Sequence, residues 1–373
     1  MAEIVTRRPH GGDVWNFSRK YGFPIEKIMD FSAPINPLGP SPEAIKAINK
    51  LSSLIRFYTD QDPVELKKDI CEYVGGIKPE NVILGNGSVE LIYMFVDVFA
   101  RGSEVIIPVP SFTEYEKAAL RVDAKPMFVE MSKDFSLNVD KLKKCFSDNT
   151  RMLIVCNPHS PSGRLFGKET MLELVEFCGS KNVYILVDEN YMDFINSEQD
   201  YTLTSYVHKY DNLFVVRSFS KFFGMPGLRL GYGIASDALV RSLEDFRLPW
   251  NVNVLSIIAG RAALKDVSFI EKTKRYIASE RGKLASMLSE LNMLKVFPSE
   301  VNFLLVKILN KGITSTSLKS KLSERGIMIR SCEDFRGLDE SYLRISVRKR
   351  EENKFLIKTL KEILLGSKTE TIA

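Results

Sequence analysis

Lys221 stands just after the apolar run Leu213–Ser218, inside the segment SFSKFFGMPGLRLGYG, and Arg229 follows it by eight residues. A lysine at a strand end among aromatic side chains is partly desolvated, which lowers its pKa and frees its amine to form a Schiff base with an aldehyde. A lone lysine is more ordinarily a solvated surface group, so its neighbours decide. One strand earlier lies LVDENYMDF, with Asp188 at the end of an apolar run and Tyr191 three residues on. An aspartate there could face a protonated ring nitrogen at the carboxyl edge of a parallel sheet, or cap the segment that follows. GNGSVE, residues 85–90, joins a strand to a helix; its glycines let backbone approach a ligand closely, and Ser88 with the helix N-terminus offers donors to a phosphate. Taken together, the three address different parts of one molecule, pyridoxal 5′-phosphate: Lys221 the aldehyde, Asp188 the pyridine nitrogen, and Gly87, Ser88 and Arg229 the phosphate.

These residues need a rigid frame. Short β-rich apolar runs alternate with helical patterns, the signature of an α/β layer architecture with a mostly parallel sheet. Seven strands are expected at Asn81–Gly85, Glu104–Pro108, Pro126–Glu130, Arg151–Cys156, Val183–Asp188, Leu213–Ser218 and Leu230–Ala235; runs such as RMLIVC and VYILVD suit burial on both faces. Ser41-Pro-Glu and Asp62-Pro-Val-Glu combine a capping residue, an early proline and an acid, and predict helices over 42–54 and 63–75. After residue 266 the pattern changes to a long helix near 268–290, strands near 302–308, 327–330 and 342–347, and a closing helix over 350–365. We therefore expect a large cofactor-binding domain over 52–265 and a smaller α+β domain from 1–51 with 266–373.

Composition narrows the function classes. Of 373 residues, 45% are hydrophobic and 27% charged, as in ordinary globular proteins, and the net charge of +5 is dispersed, which argues against nucleic acid and leaves room for an anionic small molecule. The five cysteines are odd in number and form no CxxC pair, so no disulfide framework or metal site is signalled and a reducing cytoplasmic compartment is expected. MAEIVTRRPHGG lacks the apolar core of a secretory signal, and Leu91–Ala100 is too short to cross a bilayer, so no membrane partner is expected. GSKTETIA reads as a loose tail. No GxGxxG follows a strand, which excludes a nicotinamide-dependent dehydrogenase reading.

The ordered set GNGSVELI, PSFTEY, NPHSPSG, VDENYMDF and SFSKFFGMPGLRLGYG resembles the fold-type I aminotransferase superfamily, in the branch of histidinol-phosphate aminotransferase. The resemblance spans about residues 10–365. It implies that Lys221 carries the cofactor, that Asp188 holds the ring nitrogen and Tyr191 the phenolic oxygen, that Phe112 stacks on the ring, and that Ser218, Ser220 and Arg229 join the phosphate site. It further implies a homodimer, in which Tyr58 of RFYTDQD reaches the neighbouring subunit's cofactor phosphate. One position departs from the pattern: where the family's NPxNPTG has asparagine, this chain has Ser160, whose hydroxyl can still donate but has a shorter reach. His159 beside it reads as an incidental loop residue.

The HGG start (His10–Gly12), DFSAPINPLGP, IMIRSCEDFRGL and YLRISVRKREEN are similar to threonine-phosphate decarboxylases of the cobalamin pathway. That likeness implies that Arg344 grips the substrate carboxylate, that Arg330, 14 residues earlier, holds a substrate phosphate, and that His10 and Asn36 line the same pocket. The expected reaction is decarboxylation of L-threonine O-3-phosphate to (R)-1-amino-2-propanol phosphate. Two readings compete: an aminotransferase acting on histidinol phosphate or a related amine with 2-oxoglutarate, and an inactive cofactor-binding homologue.

Overall fold

Apolar runs of four to seven residues, rich in Val, Ile and Leu, are too short for stable helices and form strands buried on both faces. The computed structural model describes residues 10–310 and 312–366. The first nine residues and the expected tail beyond 366 lie outside the described residues. A short strand β1 (Met29–Asp30) precedes the seven strands of the central sheet: β2 (Val82–Gly85), β3 (Glu104–Val109), β4 (Lys125–Glu130), β5 (Thr150–Cys156), β6 (Tyr184–Asp188), β7 (Leu213–Ser218) and β8 (Gly231–Ile234). Their order is β2-β8-β7-β6-β5-β3-β4, with helices on both faces. Period-2 alternation divides the core: Leu153, Ile185 and Val215 face one layer, and Ile154, Leu186 and Phe214 the other.

All seven strands lie where the sequence predicts them, within about two residues at each end. β8 alone runs opposite to the other six strands. The link from β7 to β8 contains a 3₁₀ turn (Pro226–Leu228) but no crossover helix, so the chain returns beside β7 as a wide hairpin, closed by Phe219 N–H to the Leu230 carbonyl at 3.0 Å.

In the remainder, β10 (Phe303–Ile308) lies between β13 (Tyr342–Ser346) and β9 (Leu294–Val296), and β12 (Arg330–Ser331) pairs with β13. The strand expected over 327–330 divides at Ile329: β11 (Ile327–Met328) leaves this sheet and pairs in parallel with β1. The N-terminal segment is thus tied to the C-terminal one, and Phe31 carbonyl also accepts from Ser346 N–H at 3.0 Å. The helix expected over 42–54 ends at Leu51 and continues as a 3₁₀ turn through Arg56, because Ser52 and Ser53 favour local turns over a further α-helical turn. The long helix spans Val267–Ser289, capped by Asp266, which also accepts from Ser41 at 2.6 Å. Among the described residues, no helix is long and apolar enough to cross a membrane, and no cluster of three or more His, Cys, Asp or Glu could hold a metal.

Candidate active site

Parallel strands place their carboxyl ends along one edge of the sheet, and the sequence motifs sit there. Register sets Cys156 beside Asp188 and Asp188 beside Val216, with Ser218 opposite Gly231 and Gly85 on the other side of Gly231. Because β8 runs the opposite way, its beginning lies at that same edge, and Arg229 arrives there with its backbone in the left-handed region (φ 60°). Close packing demands glycine at two points of this cradle. A Cβ on Gly87 (φ +83°) would come within 2.3 Å of Arg229 Nη2, and one on Gly231 within 2.3 Å of the Ser88 backbone nitrogen.

One cavity is lined by Ser88, Phe112, Ser160, Asp188, Tyr191, Ser218, Ser220, Lys221, Arg229, Arg330 and Arg344, with His10 at its rim. Burial, reinforced by Arg344 and Arg229, pushes the Lys221 amine down to about 8. Asp188 is buried, which pushes its carboxyl up, while donors from Tyr115 and Asn190 act against that shift. Tyr115 Oη donates to Asp188 Oδ2 at 2.5 Å, and Asn190 donates to Oδ1 from both its backbone N–H (3.0 Å) and Nδ2 (2.7 Å). The Phe112 ring stands edge-on to Tyr115 at 5.6 Å, three residues along the same helical start. Tyr191 is buried against Phe303 at 5.1 Å, and burial raises its phenol. A reactive amine, a buried carboxylate, an aromatic face and a glycine-built anion cradle fit the parts of pyridoxal 5′-phosphate.

The strand pair β12–β13 sets Arg330 directly opposite Arg344. Arg344 donates to Ser160 Oγ (3.2 Å) and to the Ser32 carbonyl (3.1 Å), while its Nε is buried without a partner. Arg330 is held by Asp334 (2.7 Å) and by the Ser331 carbonyl (2.8 Å), and lies over the Phe335 ring. His10 Nε2 meets Glu114 Oε1 at 2.7 Å; Glu114 also accepts from Tyr93 at 2.6 Å.

One expected residue stands elsewhere. Asn36 does not line the cavity: its amide donates to the Phe222 carbonyl (2.8 Å) and Thr273 Oγ1 (3.0 Å), bracing the turn after Lys221. Tyr58, expected to serve the neighbouring subunit, is 83% exposed, its ring tilted against Trp250 at 4.9 Å, and it does not line the cavity of its own chain. His159 is not incidental. It is buried, its Nε2 contacts the Pro110 carbonyl at 2.8 Å and its Nδ1 Ser162 Oγ at 2.7 Å, so it joins the loop before Phe112 to the loop bearing Ser160. Burial pushes its pKa down to about 4, and the ring stays neutral. Tyr115, Asn190 and Asp334 were not singled out from the sequence. All three lie inside quoted motifs, but which neighbour each side chain meets, Asp188 for Tyr115 and Asn190 and Arg330 for Asp334, is not visible in the sequence.

Comparison with known proteins gives a consistent picture. Residues 26–360 match the family model of class I and II aminotransferases. A protein of Caldanaerobacter subterraneus subsp. tengcongensis, provisionally named a threonine-phosphate decarboxylase, is 37% identical over 353 residues, 94% of this chain and 93% of that one. The histidinol-phosphate aminotransferase of Methanosarcina mazei is 32% identical over 349 residues, 93% and 91% of the two chains. The crystal structure of histidinol-phosphate aminotransferase from Clostridium acetobutylicum superposes with a TM-score of 0.84 at 28% identity, covering 91% of this chain and 100% of that one.

Proposed function

The chain belongs to the class I and II aminotransferase family, enzymes dependent on pyridoxal 5′-phosphate, and from that premise we propose that it decarboxylates L-threonine O-3-phosphate to (R)-1-amino-2-propanol phosphate. The observation that carries this reading is the pairing of Arg330 with Arg344 across β12 and β13, both facing the cavity that holds Lys221. Like charges directly opposite on a sheet are unfavourable unless something anionic lies between or beside them. Asp334 offsets one; Arg344 keeps a spare donor. Two guanidinium forks suit a substrate with two anions a few atoms apart, and a phosphorylated amino acid has a carboxylate and a phosphate. Histidinol phosphate has only the second, although 2-oxoglutarate, the partner acid of transamination, also carries two anions.

In this reading, Gly87, Ser88, Ser218, Ser220 and Arg229 bind the cofactor phosphate, Asp188 the ring nitrogen, Tyr191 and Ser160 the phenolic oxygen, and Phe112 covers the ring. Bound there, the cofactor supplies an electron sink for the pair left when a bond to the substrate's α-carbon breaks. Arg344 grips the carboxylate and orients the bond to it, Arg330 and His10 hold the phosphate, and Lys221 Nζ, half protonated near pH 8, returns a proton to the α-carbon once carbon dioxide has left. We take residues 52–265 as the cofactor unit and 1–51 with 266–373 as the unit that presents the arginines. The reading also includes a homodimer: Ile55, Phe57, Tyr58, Phe246 and Leu248 are exposed apolar groups, and Arg247 Nη2 donates to the Gln61 carbonyl at 3.0 Å, tying their two segments together.

The second reading, transamination of histidinol phosphate, is favoured by relatives named for that activity. Purified protein with pyridoxal 5′-phosphate and threonine phosphate decides between them. Release of carbon dioxide and a product of the mass of aminopropanol phosphate, with no oxo acid present, supports decarboxylation; a strict requirement for 2-oxoglutarate overturns it.

A further inference from the structure

Asn190 has an unusual set of bonds for a residue in a loop. One Nδ2 hydrogen goes to Asp188 Oδ1 at 2.7 Å and the other to Ser88 Oγ at 2.9 Å, on a helix 102 residues away in sequence. A carboxylate only accepts, so the atom facing Asp188 must be the amide nitrogen, and the orientation of the side chain is fixed. The oxygen Oδ1 is buried in the cavity wall with no partner, and the residue is only 8% exposed. Placing an amide with an unmet acceptor there costs stability that an apolar side chain would not.

The consequence falls on Ser88. Its hydroxyl oxygen accepts from Asn190, so its own hydrogen is left for another acceptor. Ser88 is the first residue of the helix Ser88–Phe99, beside Gly87 and Arg229, where unpaired backbone N–H groups gather at the helix start. An acceptor that meets the Ser88 hydroxyl at this point also meets those N–H groups. On the Asp188 side, the same amide and the Asn190 backbone hold Oδ1, while Tyr115 holds Oδ2.

We infer that Asn190 is a positioning residue that joins the two ends of the cofactor site, fixing the Asp188 carboxylate at the ring nitrogen and aiming the Ser88 hydroxyl at the phosphate. This rests on the cofactor reading and is independent of which reaction follows. It makes recognition of the phosphate depend on a side chain that does not touch it.

The test uses the full chain stripped of cofactor and compares affinities for pyridoxal 5′-phosphate and for pyridoxal, which lacks the phosphate, by quenching of protein fluorescence. Asn190→Ala should reduce the preference for the phosphorylated form by roughly tenfold, the scale of one hydrogen bond to a charged group. Asn190→Leu fills the same space and should show the same loss if the smaller side chain fails to fold. Ser88→Ala should lose the preference as well, and the double variant Ser88→Ala/Asn190→Ala should lose no more than Ser88→Ala alone, because the two act on one hydrogen bond. A merely structural Asn190 would lower thermal stability and leave the ratio of the two affinities unchanged; that outcome, or strictly additive losses, overturns the inference. A wild-type chain that captures neither aldehyde at Lys221 overturns the cofactor reading and this inference with it.

Discussion

Stripping the cofactor and raising the pH through 8 should separate Lys221 from every ordinary lysine of the chain. Burial with Arg344 and Arg229 nearby brings its amine to about 8, from 10.5. At pH 7.5 roughly one quarter of such an amine is neutral, against about one molecule in a thousand for an unperturbed lysine, so the fraction able to attack is larger by on the order of a hundredfold. Sign matters here: the pKa is lowered, so reactivity climbs about tenfold per pH unit below 8 and levels off above it. The assay follows the growth of visible absorbance when the stripped protein meets sub-stoichiometric pyridoxal 5′-phosphate between pH 6.5 and 10, followed by borohydride reduction and peptide mapping. Arg344→Gln removes a neighbouring cation and should move the break in the profile to higher pH. A rate that keeps rising with hydroxide through pH 10, or an adduct at another lysine, refutes the argument.

His159→Ala should destabilise the fold by about 2 to 3 kcal/mol, since it strands the buried Pro110 carbonyl and takes one of the two partners of the Ser162 hydroxyl, as read by urea unfolding. Its folded pKa of about 4 lies below the unfolded value, so the stability gained by keeping it neutral is complete above about pH 6.5 and is lost as the pH falls toward 4; His159→Gln should flatten that dependence. Arg330→Ala should lower kcat/KM for a phosphorylated substrate by about 2 to 4 kcal/mol, with little change for a phosphate-free analogue, and an equal loss on both would remove Arg330 from the phosphate site. Tyr58→Ala and Lys221→Ala chains, each weak alone, should regain activity when mixed and refolded together, because a hybrid dimer then holds one intact site; no recovery would place Tyr58 in the site of its own chain.

Much of this arrangement was legible in linear form because strands buried on both faces read as continuous apolar runs, and because Lys221, Asp188 and Ser88 each follow such a run directly. What the runs do not encode is direction and pairing. β8 reads as one more short buried strand, and only the missing crossover helix before it reverses its direction. Arg330 and Arg344 are 14 residues apart, yet a strand register makes them opposites. Asn36 matched a pocket-lining position but its amide is used by Phe222 and Thr273, and the donors that hold Asp188 come from a helix start and from two residues downstream. His10 finds its partner 104 residues away. Side-chain contacts of this range depend on the assembled layers, not on spacing.

The return from β7 to β8 has a consequence of its own. Both feet of that loop are bolted to neighbouring strands, at Ser218 and Gly231, and Lys221 and Arg229 ride on the span between them. In the proposed reading, the distance from aldehyde to phosphate is therefore gauged by one short piece of chain of fixed length. Surface connections elsewhere can lengthen or shorten over evolutionary time at small cost, but a single inserted or deleted residue in this span would set the gauge wrong, and its length should be among the least negotiable quantities in the molecule.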